Sequence, residues 1–302
     1  MSIAKVAVII LNWNGKDHIL NCLNSFENAT YPECHIIIVD NSSTDGSQDF
    51  IREHYPQHLL ICNSENLGFP AGNNIAMQLA VQDDFEYIFL LNNDTTISPD
   101  CLSLLVETAE IHREFGLIGP KIVFQSNPEK LWSGGGYLDR KTGRPFQIDY
   151  RTGLREQDNG LTDIDWVSGC ALLIRKEVVR RIGYLDGDYF FGSEDVDYCV
   201  RAKKAGFRIG YLNTAVIYHD KKEENILNPY SSFQNYYTLR NLLILIHKHG
   251  SFSLFFLMSF FKTLLKRVIV SLVHFDRRSL YAIYRAFRDF KAKEFGKASV
   301  TL

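Results

Sequence analysis

Four short apolar runs, each breaking off into a polar cluster, constrain what this 302-residue chain can fold into. Lys5–Leu11 ends in Asn12-Trp13-Asn14-Gly15, and His35–Val39 ends in Asp40-Asn41-Ser42-Ser43. Leu59–Cys62 leads to Asn66-Leu67-Gly68, and Tyr87–Leu91 runs straight into Asn92-Asn93-Asp94. Continuous apolar runs, as opposed to alternating ones, belong to strands buried on both faces. Between them lie stretches of helical spacing, such as Ile19, Leu20, Leu23 and Phe26 within residues 16–26, and residues 71–81. Asp45 and Gln48 frame a capping box for a second helix. Ser98 and Pro99 read as cap and first position of a helix reaching His112. The alternation predicts an α/β chain with a mostly parallel, Rossmann-like sheet flanked by helices. In such a sheet the four polar clusters share the carboxyl edge, where ligands sit.

After Gly119-Pro120 the pattern changes. Residues 121–165, rich in Gly, Asp and Arg, read as a surface hairpin region. Trp166–Ile174 then reads as a strand, Lys176–Ile182 as a short helix, and Glu194–Ala205 as a helix ended by Gly206. Arg208–Leu212 and Ala215–Tyr218 have strand character. From Ser231 onward Phe, Leu, Tyr, Lys and Arg recur at helical spacing, which divides the chain into a body, 1–230, and a helical C-terminal region, 231–302.

The net charge of −2 conceals a strong asymmetry. From Arg240 to Leu302 there are 12 Lys/Arg against 3 Asp/Glu, a net of +9, which leaves −11 on the remainder. The longest uncharged run there, Gly250–Phe261, falls short of the roughly 20 apolar residues a spanning helix needs. Apolar faces with basic flanks fit helices lying at an anionic membrane surface. The alternative is a helical region packed on the body or on a second copy, giving a homodimer. The six cysteines show no C-x-x-C pair, which argues for reduced thiols in a cytosolic setting and against disulfides or a zinc site. The N-terminal residues lack the zones of a signal peptide. A cytoplasmic protein, peripheral on the inner face of the plasma membrane, is expected. No nucleic-acid partner is expected.

The polar clusters carry the candidate chemistry. Asp94, flanked by amides at a strand end, suits a hard divalent cation that bridges phosphates, or else caps the turn. Asp40 is placed to bond a base or ribose, or to cap the turn into Ser42-Ser43. The Gly68–Gly72 loop can cradle a phosphate. It is neither G-x-G-x-x-G nor a P-loop, which weakens the dinucleotide and NTPase readings. Glu194, Asp195 and Asp197 crowd a helix start behind a Gly-flanked aromatic loop. Helix starts favour anions, but a carboxylate here can also take a proton from a substrate hydroxyl. His219 follows a strand and is either structural or a metal ligand.

These motifs resemble family 2 glycosyltransferases of the GT-A fold, particularly the bacterial branch that includes rhamnosyltransferases. The matching text is Val8–Asn14, Val39–Ser47, Asn66–Phe69 with Gly72-Asn73-Asn74, Leu90–Asp94, Ser168–Arg175, Phe191–Asp197 with Cys199 and Arg201, Gly206-Phe207 and His219. The resemblance implies Mg2+ or Mn2+ held by Asp94 and His219, although Asn92 stands where the family's first Asp belongs. It implies a nucleoside-diphosphate sugar donor (dTDP, UDP or GDP) bound near Asn12, Asn14, Asp40, Asn66, Gly68, Asn73, Asn92 and Asn93. Asp195, beside Glu194, would be the catalytic base of an inverting transfer, and Trp166, Gly169 and Asp197 would face a saccharide or lipid-linked acceptor. Rhamnose is the first expectation for the sugar, in cell-surface polysaccharide synthesis. A nucleotidyltransferase usually shows a Gly-rich run with Arg and Lys after the first strand, where this chain has Asn-Trp-Asn-Gly. A catalytically silent carbohydrate-binding protein is disfavoured by Asp94, Asp195 and His219.

Overall fold

A computed structural model describes residues 3–152, 160–221, 230–250 and 252–299. In chain order its first half contains β1 (Val6–Asn12), α1 (Lys16–Ser25), β2 (Cys34–Asp40), α2 (Ser47–His54), β3 (Leu59–Cys62), α3 (Gly68–Gln82), β4 (Tyr87–Asn92), β5 (Thr95–Ile97) and α4 (Cys101–Ile111). There follow β6 (Phe115–Phe124), β7 (Asn127–Ser133), β8 (Gly136–Leu138), β9 (Pro145–Gln147), β10 (Leu161–Ile164), β11 (Ala171–Arg175), α5 (Lys176–Ile182), α6 (Glu194–Lys204) and β12 (Arg208–His219). The C-terminal region is α7 (Ser232–His249), α8 (Leu254–Val273) and α9 (Arg277–Ala292).

The main sheet runs β10-β12-β6-β11-β4-β1-β2-β3. Its N-terminal half, β3-β2-β1-β4, is parallel as expected. The pairing sets Asn12 beside Asp40 and Leu11 beside Asn92, so the polar strand ends meet at one edge. Both faces are buried. Val8, Ile10, Phe89 and Leu91 pack under α1 and α4, while Ala7, Ile9, Ile88 and Leu90 pack under α3. Each strand thus needs apolar residues at odd and even positions alike.

The second half of the sheet is mixed. β11 runs antiparallel between β4 and β6, and β12 lies parallel to β6. Several elements differ from the sequence reading. Trp166–Cys170 is a loop, and only Ala171–Arg175 forms the strand. Arg208–His219 is one strand, with a register shift between Leu212 and Val216. The helix expected from Ser98 starts at Cys101, because Thr95–Ile97 is drawn into pairing with β12. No capping box forms at α2. Asp45 accepts from the Ser47 and Lys16 amides, while Gln48 donates to Asp40.

The C-terminal helices share a small core of their own, including Leu239, Leu243, Phe256, Phe260 and Ile283. They are also tied to the body: Arg144, beside β9, donates to Ser259 Oγ and Thr263 Oγ1 on α8. Among the described residues no helix is long and apolar enough to cross a membrane.

Candidate active site

The pairing of β5 with β12 sets Thr95 opposite His219, and the Asp220 amide donates to the Asp94 carbonyl at 2.8 Å. His219 Nε2 thereby comes within 3.2 Å of Asp94 Oδ2. The imidazole is wholly buried and meets Trp132 edge-on, with ring centroids 4.5 Å apart. Burial lowers its proton affinity, which favours the neutral form a metal ligand needs. Burial raises Asp94, but contact with His219 and the charges of Lys221 and His18 outweigh it and hold the carboxyl below its ordinary value. Asp94 Oδ1 and His219 Nε2 are buried without a hydrogen-bond partner. Orphaned buried groups of this kind call for an explanation, and a divalent cation between them is one that fits. Among the described residues no set of three or more His, Cys, Asp or Glu surrounds the point. Its remaining positions would fall to phosphate oxygens and water, as is usual for Mg2+.

The donor cluster lies at the adjoining strand ends. Asp40 is fully buried and accepts four hydrogen bonds, from Asn12 Nδ2 (2.8 Å), Ser43 Oγ (2.7 Å), the Ser43 amide (2.8 Å) and Gln48 Nε2 (2.7 Å). Asn12 Oδ1 in turn accepts from Asn93 Nδ2 at 2.7 Å. The ends of β2, β1 and β4 are thus cross-linked by side chains. Asn14, in the left-handed region (φ 50°), accepts from the Thr44 amide at 2.8 Å. At Gly15 a Cβ would stand 2.0 Å from Asn93 Nδ2, so only glycine admits this link. Trp13, beside this cluster, is exposed. Asn92 continues β4 and its amide donates to the Cys170 carbonyl.

The three remaining donor candidates, Asn66, Gly68 and Asn73, take part in the protein's own hydrogen bonding. Gly68 does not present an open phosphate cradle. Its amide donates to Asn66 Oδ1 at 2.8 Å, and a Cβ there would meet the Phe190 ring and carbonyl at 2.5 Å. Asn66 also accepts from Asn41, so it serves to shape this loop. Asn73 is buried inside α3, and its amide donates to the Phe69 carbonyl at 2.9 Å.

On the other side of the crevice, α6 begins after Gly192 and Ser193, both left-handed (φ 86° and 76°). A serine held there is strained, and such strain clusters at functional sites. Asp195 Oδ2 accepts from the Gly169 amide at 3.0 Å, and Oδ1 from the Val196 amide at 2.8 Å. Glu194 is buried, with Oε2 unpartnered. Burial raises both carboxyls, and the negative charge of Asp195 raises Glu194 further. Both carboxyls are thereby held toward the protonated form, and the two titrate as a pair. The Cys170 thiol is pushed up by burial, then by Asp94 and also by Asp195. Gly169, whose amide meets Asp195, is followed by Cys170, whose Sγ lies 4.0 Å from His219 Nδ1, so one short segment runs between Asp195 and the Asp94–His219 pair.

Of the acceptor residues, Gly169 is at the base. Trp166 is buried in the second core layer, and Asp197 is fully buried, bonded to Arg201 Nε (2.8 Å) and His249 Nε2 (2.6 Å). Neither side chain is open to solvent in this structure, and Trp166 Nε1 is buried without a hydrogen-bond partner. The helical C-terminal region was expected, but the hold of α7 on the 188–192 loop was not. Arg240 donates to the carbonyls of Asp188 and Gly296, and Asn241 donates to those of Phe191 and Gly192. Lys248 bridges Asp186 and Asp188. The available signal was the Arg-Asn pair inside the otherwise apolar run Leu239–Ile246.

The family model described as Glycosyl transferase family 2 matches residues 7–183. The N-acetylglucosaminyl-diphospho-decaprenol L-rhamnosyltransferase of Mycobacterium tuberculosis is 27% identical over 248 residues, 74% of this chain and 78% of its own length. Rhamnosyltransferase WbbL of Escherichia coli K12 is 26% identical over 232 residues, 73% and 85% of the two chains. Among solved structures, mannosyltransferase PcManGT from Pyrobaculum calidifontis, in complex with GDP-Man and Mn2+, superposes with a TM-score of 0.58 at 16% identity, covering 100% of this chain and 77% of that one. GalNAc-T7 with UDP, GalNAc and Mn2+ gives a TM-score of 0.63 at 15% identity, covering 81% of this chain and 48% of that one. These likenesses show the GT-A fold. With the family match spanning more than half of its residues, the chain belongs to glycosyl transferase family 2 and is a glycosyltransferase.

Proposed function

We propose that this glycosyltransferase is a metal-dependent inverting enzyme that moves a hexose, rhamnose first among the candidates, from a nucleoside diphosphate to a lipid-linked saccharide. The buried Asp94–His219 pair, with Asp94 Oδ1 and His219 Nε2 unpartnered and linked to Asp195 through the Gly169-Cys170 segment, carries this reading. The names of the two rhamnosyltransferase relatives support the sugar, and the diphospho-decaprenol in one of them supports the acceptor. dTDP, UDP and GDP remain the candidate nucleotides. The nucleotide lies along the Asp40–Asn12–Asn93 chain, with Trp13 offering an exposed ring for the base.

Asp94 and His219 would hold Mg2+ or Mn2+, which would supply charge neutralisation at the diphosphate. Asp195 takes the proton from the acceptor hydroxyl, and that oxygen attacks the anomeric carbon from the face opposite the leaving diphosphate. One displacement inverts the configuration. Burial and the charge of Asp195 push the Glu194 carboxyl up to about 8, which disfavours a second negative charge beside the base. The enzyme works at the cytoplasmic face of the plasma membrane, peripherally bound.

Transfer from dTDP-rhamnose and from UDP- and GDP-hexoses to a lipid-diphosphate-linked N-acetylglucosamine acceptor, with Mn2+ or with EDTA, tests this reading. One donor should turn over only with the metal, giving an inverted product. Turnover undiminished by EDTA, or retained configuration, would refute it.

A further inference from the structure

Six apolar side chains on α8 are Leu254, Met258, Phe261, Leu265, Ile269 and Leu272, spaced three or four residues apart. That spacing places them on one face of the helix. Each is 47–70% exposed, whereas Phe256, Phe260 and Ser271 on the opposite face are buried. The stripe therefore points directly away from the protein. It continues past the helix end to Phe275, which is 91% exposed. At 20 residues α8 extends for about 30 Å, and monomeric surfaces seldom leave so long an apolar stripe uncovered.

Cations predominate beside the stripe, with Asp276 an acid at its far end. α8 contains no acidic residue, and its Lys262 and Lys266 are exposed, while its third cation, Arg267, turns inward and donates to Asn235 Oδ1 at 2.6 Å. Arg277 and Arg278 stand exposed just beyond its end, and Lys141 lies over the Phe255 ring at 5.9 Å. An apolar stripe with a cationic margin matches the interface of a bilayer with anionic headgroups. Self-association fits worse, because pairing α8 with a second α8 in either direction sets cation against cation.

We propose that the outward face of α8 docks on an anionic lipid bilayer, lying in the interface plane without crossing it. This deepens the reading given above and rests on its lipid-linked acceptor, since docking brings the enzyme to the surface where such an acceptor resides.

The test is sedimentation of the full chain with vesicles of phosphatidylcholine alone or with 30% phosphatidylglycerol. Wild type should pellet with the anionic vesicles and be released by salt. The variant F261E/L265E should partition at least tenfold more weakly, with donor binding and transfer to a water-soluble acceptor analogue unchanged. A second variant, Phe261→Trp, should show blue-shifted emission on adding anionic vesicles and quenching by brominated lipid. Wild type left in the supernatant, equal partition of F261E/L265E, or a lipid-free dimer that F261E/L265E converts to monomer would each overturn the proposal. Vesicle binding by a protein that transfers sugar to neither soluble nor lipid-linked acceptors would count against the transferase reading alone.

Discussion

In the proposed metal site Asp94 is the one acidic residue of its motif, because position 92 is Asn. His219, its neighbour at 3.2 Å, is disposed to be neutral. Replacing Asp94 with Asn should weaken Mn2+-dependent donor binding by about two orders of magnitude, while metal-independent binding of the free nucleotide changes little; calorimetry with and without Mn2+ distinguishes the two. Glu194 gives a pH-dependent outcome. Its folded-state pKa is raised, so above about pH 4.3 the unfolded chain loses this proton while the folded chain keeps it. Its contribution to stability therefore falls as pH rises, by up to about 1.4 kcal/mol per pH unit, until the folded pKa is passed. Glu194→Gln lacks this slope and should unfold at a higher temperature than wild type at pH 8, with the gap narrowing toward pH 5. Melting curves of both proteins across that range check it. Parallel curves would refute a protonated Glu194. At this scale the sequence was legible in residue type and not in direction. Asn12 and Asn73 both sit in polar clusters, yet one links two strand ends and the other bonds its own helix.

Elements with continuous apolar runs were readable because burial on both faces leaves no other composition open to them. The second half was less so. β9 and β10 are short edge strands without a buried stripe, and β5 exists only through its pairing with β12. That pairing, invisible in local sequence, also brings His219 to Asp94. The role of α7 was hidden for the same reason, since its partners are carbonyls of a loop some 50 residues earlier. Asn241 donates to Phe191 and Gly192, next to the left-handed Ser193 that opens α6. Asn241→Ala frees two loop carbonyls and should lower kcat about tenfold, at a cost of 1–3 kcal/mol in loop order, with the donor KM within twofold of wild type. A matching loss in donor affinity would show that α7 acts elsewhere.

For the whole molecule, the acidic body and basic C-terminal region are opposite in charge but not independent in packing. α7 buries Leu239, Arg240 and Asn241 and holds the loop that leads to the base. A boundary at residue 230, as composition suggests, cuts through these bonds. Residues 1–230 alone should therefore express as an aggregating or low-melting protein, and a cooperative unfolding transition within a few degrees of the full chain would contradict this.

The claim that joins these scales is that Asp195 is the base of an inverting transfer at a crevice whose metal end is Asp94 and His219. Asp195→Asn keeps the shape of the side chain and removes its basicity. Measured at saturating donor and Mn2+, its turnover should fall about 10²- to 10⁴-fold while the donor dissociation constant stays within threefold of wild type. Wild-type turnover in that variant would contradict the account.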